Sequence, residues 1–172
     1  AHLNARKNLS GLLEAFRTAF DTSPDVSLTI VGDGPQRAAL SRQASRLGLG
    51  AQVSFLGAQP RTGVREALWN AHAFVLASRH ETFGVVVVEA LATGLPVVAT
   101  RCGGPEDIVT KQTGRLVPPN DPEALAEALC TLREEWTSYN PEHIRASVLA
   151  RYGPEPFVQR TRSLYRQARA DA

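Results

Sequence analysis

A chain of 172 residues with 19 Lys and Arg against 17 Asp and Glu, 43% hydrophobic residues, 13 Gly and 11 Pro can close one hydrophobic core without a metal or disulfide staple. Its 21% charged residues and mixed apolar complement exclude disordered, collagenous, coiled-coil and disulfide-dense classes. The formal net charge of +2, spread over dispersed arginines with only Lys7 and Lys111 as lysines, gives neither a nucleic-acid footprint nor a polybasic membrane patch. Cys102 and Cys130 stand far apart with no CxxC pairing, which favours reduced structural thiols and a cytoplasmic compartment. No apolar run is long enough for a membrane helix, and the first twenty residues carry Arg6, Lys7, Glu14 and Arg17, unlike a signal peptide. The opening Ala1-His2-Leu3 and the absence of Met are compatible with a piece of a longer protein or with a removed initiator.

In chain order, Leu9, Leu12, Leu13, Phe16 and Phe20 recur at helical spacing and predict a helix over about residues 9 to 21, with Asn8 as its N-cap. Val26 to Val31 reads as a strand, closed by Gly32-Asp33-Gly34. Pro35 suits a first helical turn; Leu40, Ala44 and Leu47 share a face, and Gly48 stops that helix. The unit repeats as a strand at 52 to 56, a helix at 61 to 70, a strand at 73 to 77 and a helix at about 83 to 93. Gly94 and Pro96 punctuate, then Pro96 to Thr100 and Gly114 to Val117 supply two more strands. Asp121 is set up as the N-cap of a further helix with Pro122 at its first position, and two amphipathic helices over about 141 to 151 and 155 to 169 close the chain. This alternation predicts an α/β domain: one doubly wound parallel sheet with helices on both faces. In such sheets ligands sit at the carboxyl ends of the strands, so the chemistry is sought in the loops that follow them.

Gly32-Asp33-Gly34-Pro35-Gln36-Arg37 is like a dinucleotide fingerprint, but Arg37 stands where the last glycine belongs, and Gln52 to Gly57 holds no acid for a ribose. A nicotinamide site is thereby weakened, and a tight turn needing glycine dihedrals competes with direct ligand contact at Gly32. His80-Glu81-Thr82-Phe83-Gly84 begins like a zinc-protease helix, and Gly84 in place of the second His excludes that. No Walker loop, nucleophile elbow or metal-ligand cluster is present; His2, His72 and His143 read as surface histidines. The informative stretch runs from Glu81 to Thr100, where two carboxylates, Glu81 and Glu89, flank an apolar segment at the start of a helix. Were residues 81 to 89 all helical, eight rises of about 1.5 Å would part the two levels by roughly 12 Å, about an extended sugar-diphosphate-ribose unit. Between them the free amides near Gly84, Val85 and Val86 form a positive helix end suited to a diphosphate or a hydroxyl. The plainer alternative makes Glu81 a helix-start acid and Glu89 a solvated face residue.

The Glu81 to Glu89 spacing, the Phe83-Gly84 step and Glu-Ala-Leu-Ala-Thr-Gly-Leu-Pro-Val-Val-Ala-Thr from Glu89 onward resemble the donor-binding segment of retaining glycosyltransferases of family 4, which have the two-domain GT-B fold. Lys7-Asn8, Ile30 to Pro35, Val53 to Gly57, Gly103 to Glu106 and Gly114 to Pro119 agree in order, so the resemblance covers about residues 4 to 135. It implies that residues 1–172 form a Rossmann-like donor-binding domain, the carboxy-terminal half of a GT-B enzyme, with carboxy-terminal helices from about 141 to 170. Lys7 and Glu81 are then catalytic: Lys7 neutralises the departing nucleoside diphosphate and Glu81 holds sugar hydroxyls near the anomeric carbon. Glu89 takes the ribose, the amides of Gly84, Val85 and Val86 take the sugar and diphosphate, Phe83 and Gly32 line the donor, and Leu56 and Gly57 lie within a segment that meets the base. No metal and no cofactor are implied beyond the nucleotide-diphosphate sugar itself.

The resemblance also implies a partner, an amino-terminal acceptor domain carrying a catalytic histidine, which would confer any peripheral membrane location. Where family members carry an Arg on the preceding strand this sequence has Ala1, so the first strand is expected to be missing or short, and His2 has no motif fitting it for catalysis. A sugar-nucleotide 2-epimerase of the same fold and a non-catalytic nucleotide-sugar sensor or interaction module are the rival readings.

Overall fold

The computed structural model describes residues 2–170. Five parallel strands alternate with helices, as the sequence spacing predicts: α1 (Leu9–Phe20), β1 (Leu28–Val31), α2 (Arg37–Arg46), β2 (Val53–Gly57), α3 (Arg61–Trp69), β3 (Phe74–Leu76), α4 (Val85–Ala92), β4 (Val97–Thr100), α5 (Pro105–Ile108), β5 (Gly114–Val117), α6 (Pro122–Glu135), α7 (Pro141–Tyr152) and α8 (Pro154–Ala170). Single 3-10 turns at Ala5–Lys7 and Trp136–Ser138 complete the order.

β4 explains why helices cover both faces. All four of its residues are buried, and because side chains alternate along a strand, Val98 enters one core while Val97 and Ala99 enter another. The first core joins Val98, Ala77 and Val117 to Leu12, Leu13 and Phe16 of α1 and to Leu125 and Leu132 of α6. The second joins Val97, Ala99 and Leu76 to Val87 and Leu91 of α4 and to Ile144 and Val148 of α7.

The expectation of one continuous sheet needs correction. Among the described residues the ladders fall into two sets, β1 with β2 and β3-β4-β5. Between them runs the segment from His2 to Lys7. His2 bridges Asp33, the Leu3 amide donates to the Asp33 carbonyl at 2.9 Å, and the Gln36 amide donates to the Leu3 carbonyl at 3.1 Å. Farther along, the Arg79 amide donates to the Arg6 carbonyl at 2.8 Å, and Leu3 is wholly buried. This segment turns at Asn4 after a single bridge and ties both sets together at their carboxyl ends. The short first strand expected around Ala1 lies outside the described residues.

Three local readings also change. β1 begins at Leu28 rather than Val26, α2 begins at Arg37 beyond Pro35, and Asn8 makes no side-chain cap for α1. Asn8 is left-handed (φ 50) because it closes the Ala5–Lys7 turn, donating its amide to the Ala5 carbonyl, before it opens α1. Asp121 caps as predicted, accepting from the Ala124 amide.

Candidate functional site

The carboxyl ends of β1 to β4 bring the expected loops to one edge. At the ends of β1 and β2, the Gly32 amide donates to the Gly57 carbonyl at 2.8 Å. Arg37 clasps the same corner, reaching the Asp33 carboxylate and the Phe55 carbonyl, both at 3.3 Å. The residue that broke the dinucleotide fingerprint is thus a brace between two loops. Leu56 is 47% exposed beside it, an apolar side chain left open at the rim.

At the end of β3, Glu81 is not helical. Its amide donates to the Cys102 carbonyl at 2.8 Å and its carbonyl accepts from the Gly104 amide at 3.0 Å, a bridge to the loop after β4. That close approach needs glycine at Gly103 and Gly104: a Cβ on Gly103 would lie 2.5 Å from the Glu81 carbonyl oxygen, and one on Gly104 would overlap the Phe83 carbonyl. Helix α4 therefore begins only at Val85, and the roughly 12 Å spacing that a continuous helix from 81 to 89 gives does not apply.

Gly84 precedes α4 in a left-handed conformation (φ 88, ψ 48) and offers no capping side chain. The amides of Val85 and Val86, in the first turn, have no carbonyl one turn back to receive them. They form an uncapped positive helix end. Val85 is 59% exposed, and Glu89, one turn farther along, is also exposed with no charged partner among the described residues. Phe83 is partly exposed and meets the Tyr152 ring edge-on, centroids 5.6 Å apart.

Lys7 and Glu81, 74 positions apart, are brought into a direct ion pair through Nζ and Oε1, and both side chains are largely shielded from solvent. Burial alone would push the Glu81 carboxyl upward. Hydrogen bonds from Lys7 and Ser78, reinforced by the charges of Lys7 and Arg6, outweigh it and hold the group below its ordinary range. Burial pushes the neighbouring Cys102 thiol up, so this cysteine stays protonated. Both cysteines are free.

Ser78 is the participant that sequence spacing did not single out. It is wholly buried, and its hydroxyl donates to Glu81 Oε1 at 2.7 Å. A serine followed three residues later by the motif glutamate is the available signal, and it lacks force without the buried geometry. His2, His72 and His143 are exposed, as their sequence context suggests, and the described residues hold no cluster of three or more potential metal ligands.

The model of the glycosyl transferases group 1 family matches residues 1–145. The chain belongs to that family. Among curated relatives of this group 1 domain, D-inositol 3-phosphate glycosyltransferase of Corynebacterium urealyticum is 34% identical over 90% of the chain and 39% of the relative. N-acetyl-alpha-D-glucosaminyl L-malate synthase of Bacillus anthracis is 33% identical over 92% of the chain and 42% of the relative. The Anabaena protein HepE, solved in complex with UDP, superposes with a TM-score of 0.86 at 26% identity, over 97% of the chain and 47% of HepE. Sucrose-phosphate synthase of Thermosynechococcus elongatus gives 0.84 at 30% identity, over all of the chain and 45% of that protein. The group 1 domain has the Rossmann-like architecture of one half of a GT-B glycosyltransferase, and it spans less than half the length of these relatives. No described helix is long and apolar enough to cross a membrane.

Proposed function

We propose that this domain binds a nucleotide-diphosphate sugar and presents it for transfer, with retained anomeric configuration, to an acceptor held by a second domain of the same enzyme. The observation that carries the reading is the Lys7–Glu81 pair set beside the uncapped start of α4. A shielded ammonium whose one ion-pair partner among the described residues is a single carboxylate can turn to a diphosphate, and the helix end adds donors for the same group. As the glycosidic bond breaks, negative charge grows on the leaving phosphate; fixed positive groups there act on the transition state. The reading assigns that task to Lys7 and the α4 amides and requires no metal. Glu81, released from Lys7, receives sugar hydroxyls; Glu89 receives the ribose; Leu56 and Gly57 border the base; Phe83 and Gly32 line the donor. Support from outside the chain comes from HepE, whose solved complexes hold UDP and UDP-glucose.

The test is calorimetry of the chain with UDP, GDP, ADP and their common sugar esters, repeated with Glu89→Ala and Glu81→Ala. Glu89→Ala is expected to weaken the bare diphosphate by roughly 10- to 150-fold, the range for a hydrogen bond to a charged group, about 1.5 to 3 kcal/mol. Glu81→Ala is expected to spare the bare diphosphate. Equal losses in the two variants contradict the assignment.

A further inference from the structure

Of the two carboxylate oxygens of Glu81, the described residues engage one. Lys7 Nζ and Ser78 Oγ both donate to Oε1, and no described residue donates to Oε2. The two hydrogen bonds differ in permanence. Lys7 sits on a short 3-10 turn, and under the function proposed above it must turn to the diphosphate. Ser78 cannot turn away. It is wholly buried at the end of β3, where a hydroxyl deprived of water has to keep its protein acceptor. Its backbone is fixed in turn: the Thr100 hydroxyl, 1% exposed, donates to the Ser78 carbonyl at 2.5 Å and lies 3.5 Å from the Leu76 carbonyl.

We propose that Ser78 is a positioning residue for glycosyl transfer: it pins Glu81 through Oε1, with Thr100 behind it, and so keeps Oε2 available to a sugar hydroxyl after Lys7 has moved to the diphosphate. The inference rests on the sugar-binding role given to Glu81. Serine suits the task because its hydroxyl supplies one donor and no charge, whereas a second cation would compete with Lys7 for the phosphate. Other groups facing the carboxylate are Arg6 on the Ala5–Lys7 turn and Cys102 in the loop after β4, with Glu106 of α5 held by the Gly103 amide beside it. None of these donates a hydrogen bond to Oε1 or Oε2, so among the described residues Ser78 is the donor that remains on the Glu81 carboxylate once Lys7 leaves.

The experiment follows the Glu81 side-chain carboxyl carbon by NMR through a pH titration, its resonance identified by loss in Glu81→Gln, and measures binding of UDP and UDP-glucose. In Ser78→Ala the Glu81 titration is expected to move to higher pH, UDP affinity to hold, and any advantage of UDP-glucose over UDP to fall about tenfold, the scale of one hydrogen bond to a charged group. Thr100→Val, which keeps the side-chain shape and removes only the donor behind Ser78, should shift the titration in the same direction by less; it serves as well if Ser78→Ala does not fold. A Glu81 titration unchanged in either folded variant overturns the inference, whatever the sugar data. A titration that moves while Glu81→Gln retains the sugar advantage overturns instead the sugar role of Glu81.

Discussion

At Glu81 burial and partners pull in opposite directions, and the partners win, leaving the folded carboxyl below its ordinary value of 4.5. The sign for stability follows. A depressed folded value means that the carboxylate favours the folded state at pH above its unfolded value near 4.5 and loses that contribution as pH falls through the lower folded value. Urea midpoints taken through the acid range should therefore fall more steeply for the native chain than for Glu81→Gln; parallel curves would remove the basis for this reading. Lys7→Met should have the opposite local effect, leaving Glu81 shielded without its cation and moving its titration upward. The spacing of Glu81, Phe83, Gly84 and Glu89 was legible because these residues lie within nine positions. Lys7 and Glu81 were singled out separately through family resemblance, but their direct pairing is a tertiary contact that no spacing encodes, and Ser78 was hidden because serine is common and its burial is invisible in composition.

Among the elements, α4 and α6 begin in opposite ways, and the contrast is testable. Asp121 caps α6, so Asp121→Ala should cost about 1 kcal/mol of unfolding free energy and leave nucleotide binding unchanged. Gly84 opens α4 with a positive φ and no cap, and Gly84→Ala should cost about 1 to 2 kcal/mol through left-handed strain while also weakening diphosphate binding. Chemical denaturation and calorimetry of the two variants separate a helix end built for stability from one built for a ligand; a Gly84→Ala variant with native nucleotide affinity would show that the α4 end is not used. The long helix α1 was readable from its apolar spacing, and the start of α6 from Asp121 and Pro122. The single turn α5 (Pro105–Ile108) was missed because four residues display no period. The start of α4 was placed two residues early because the apolar run from Phe83 gives no hint that Glu81 is held by the loop after β4.

For the whole molecule, two cores share β4, and each is closed by helices of this chain, so the chain should fold unaided and unfold cooperatively. Sugar transfer by the chain alone is not expected. Under the function proposed above, this chain supplies the donor groups, and alignment with an acceptor, worth about 7 to 11 kcal/mol of barrier, comes from a second domain. Radiolabelled donor with a range of acceptors tests this; turnover by the chain at the rate of a longer enzyme would mean that both substrates are held here. Alternation of strands and helices was legible apart from α5, but the division into two ladders was not, because it depends on where His2 to Lys7 runs, and no periodicity encodes that path.

That path also makes the site observable without a ligand label. The Arg79 amide is donated to the carbonyl of Arg6, the residue before Lys7, and lies next to Ser78 in sequence. Its rate of exchange with deuterium is thus a clock for the seating of the lysine-bearing turn: slow while the turn is docked, fast whenever it lifts. One backbone proton thereby reports how often the turn that carries Lys7 is undocked.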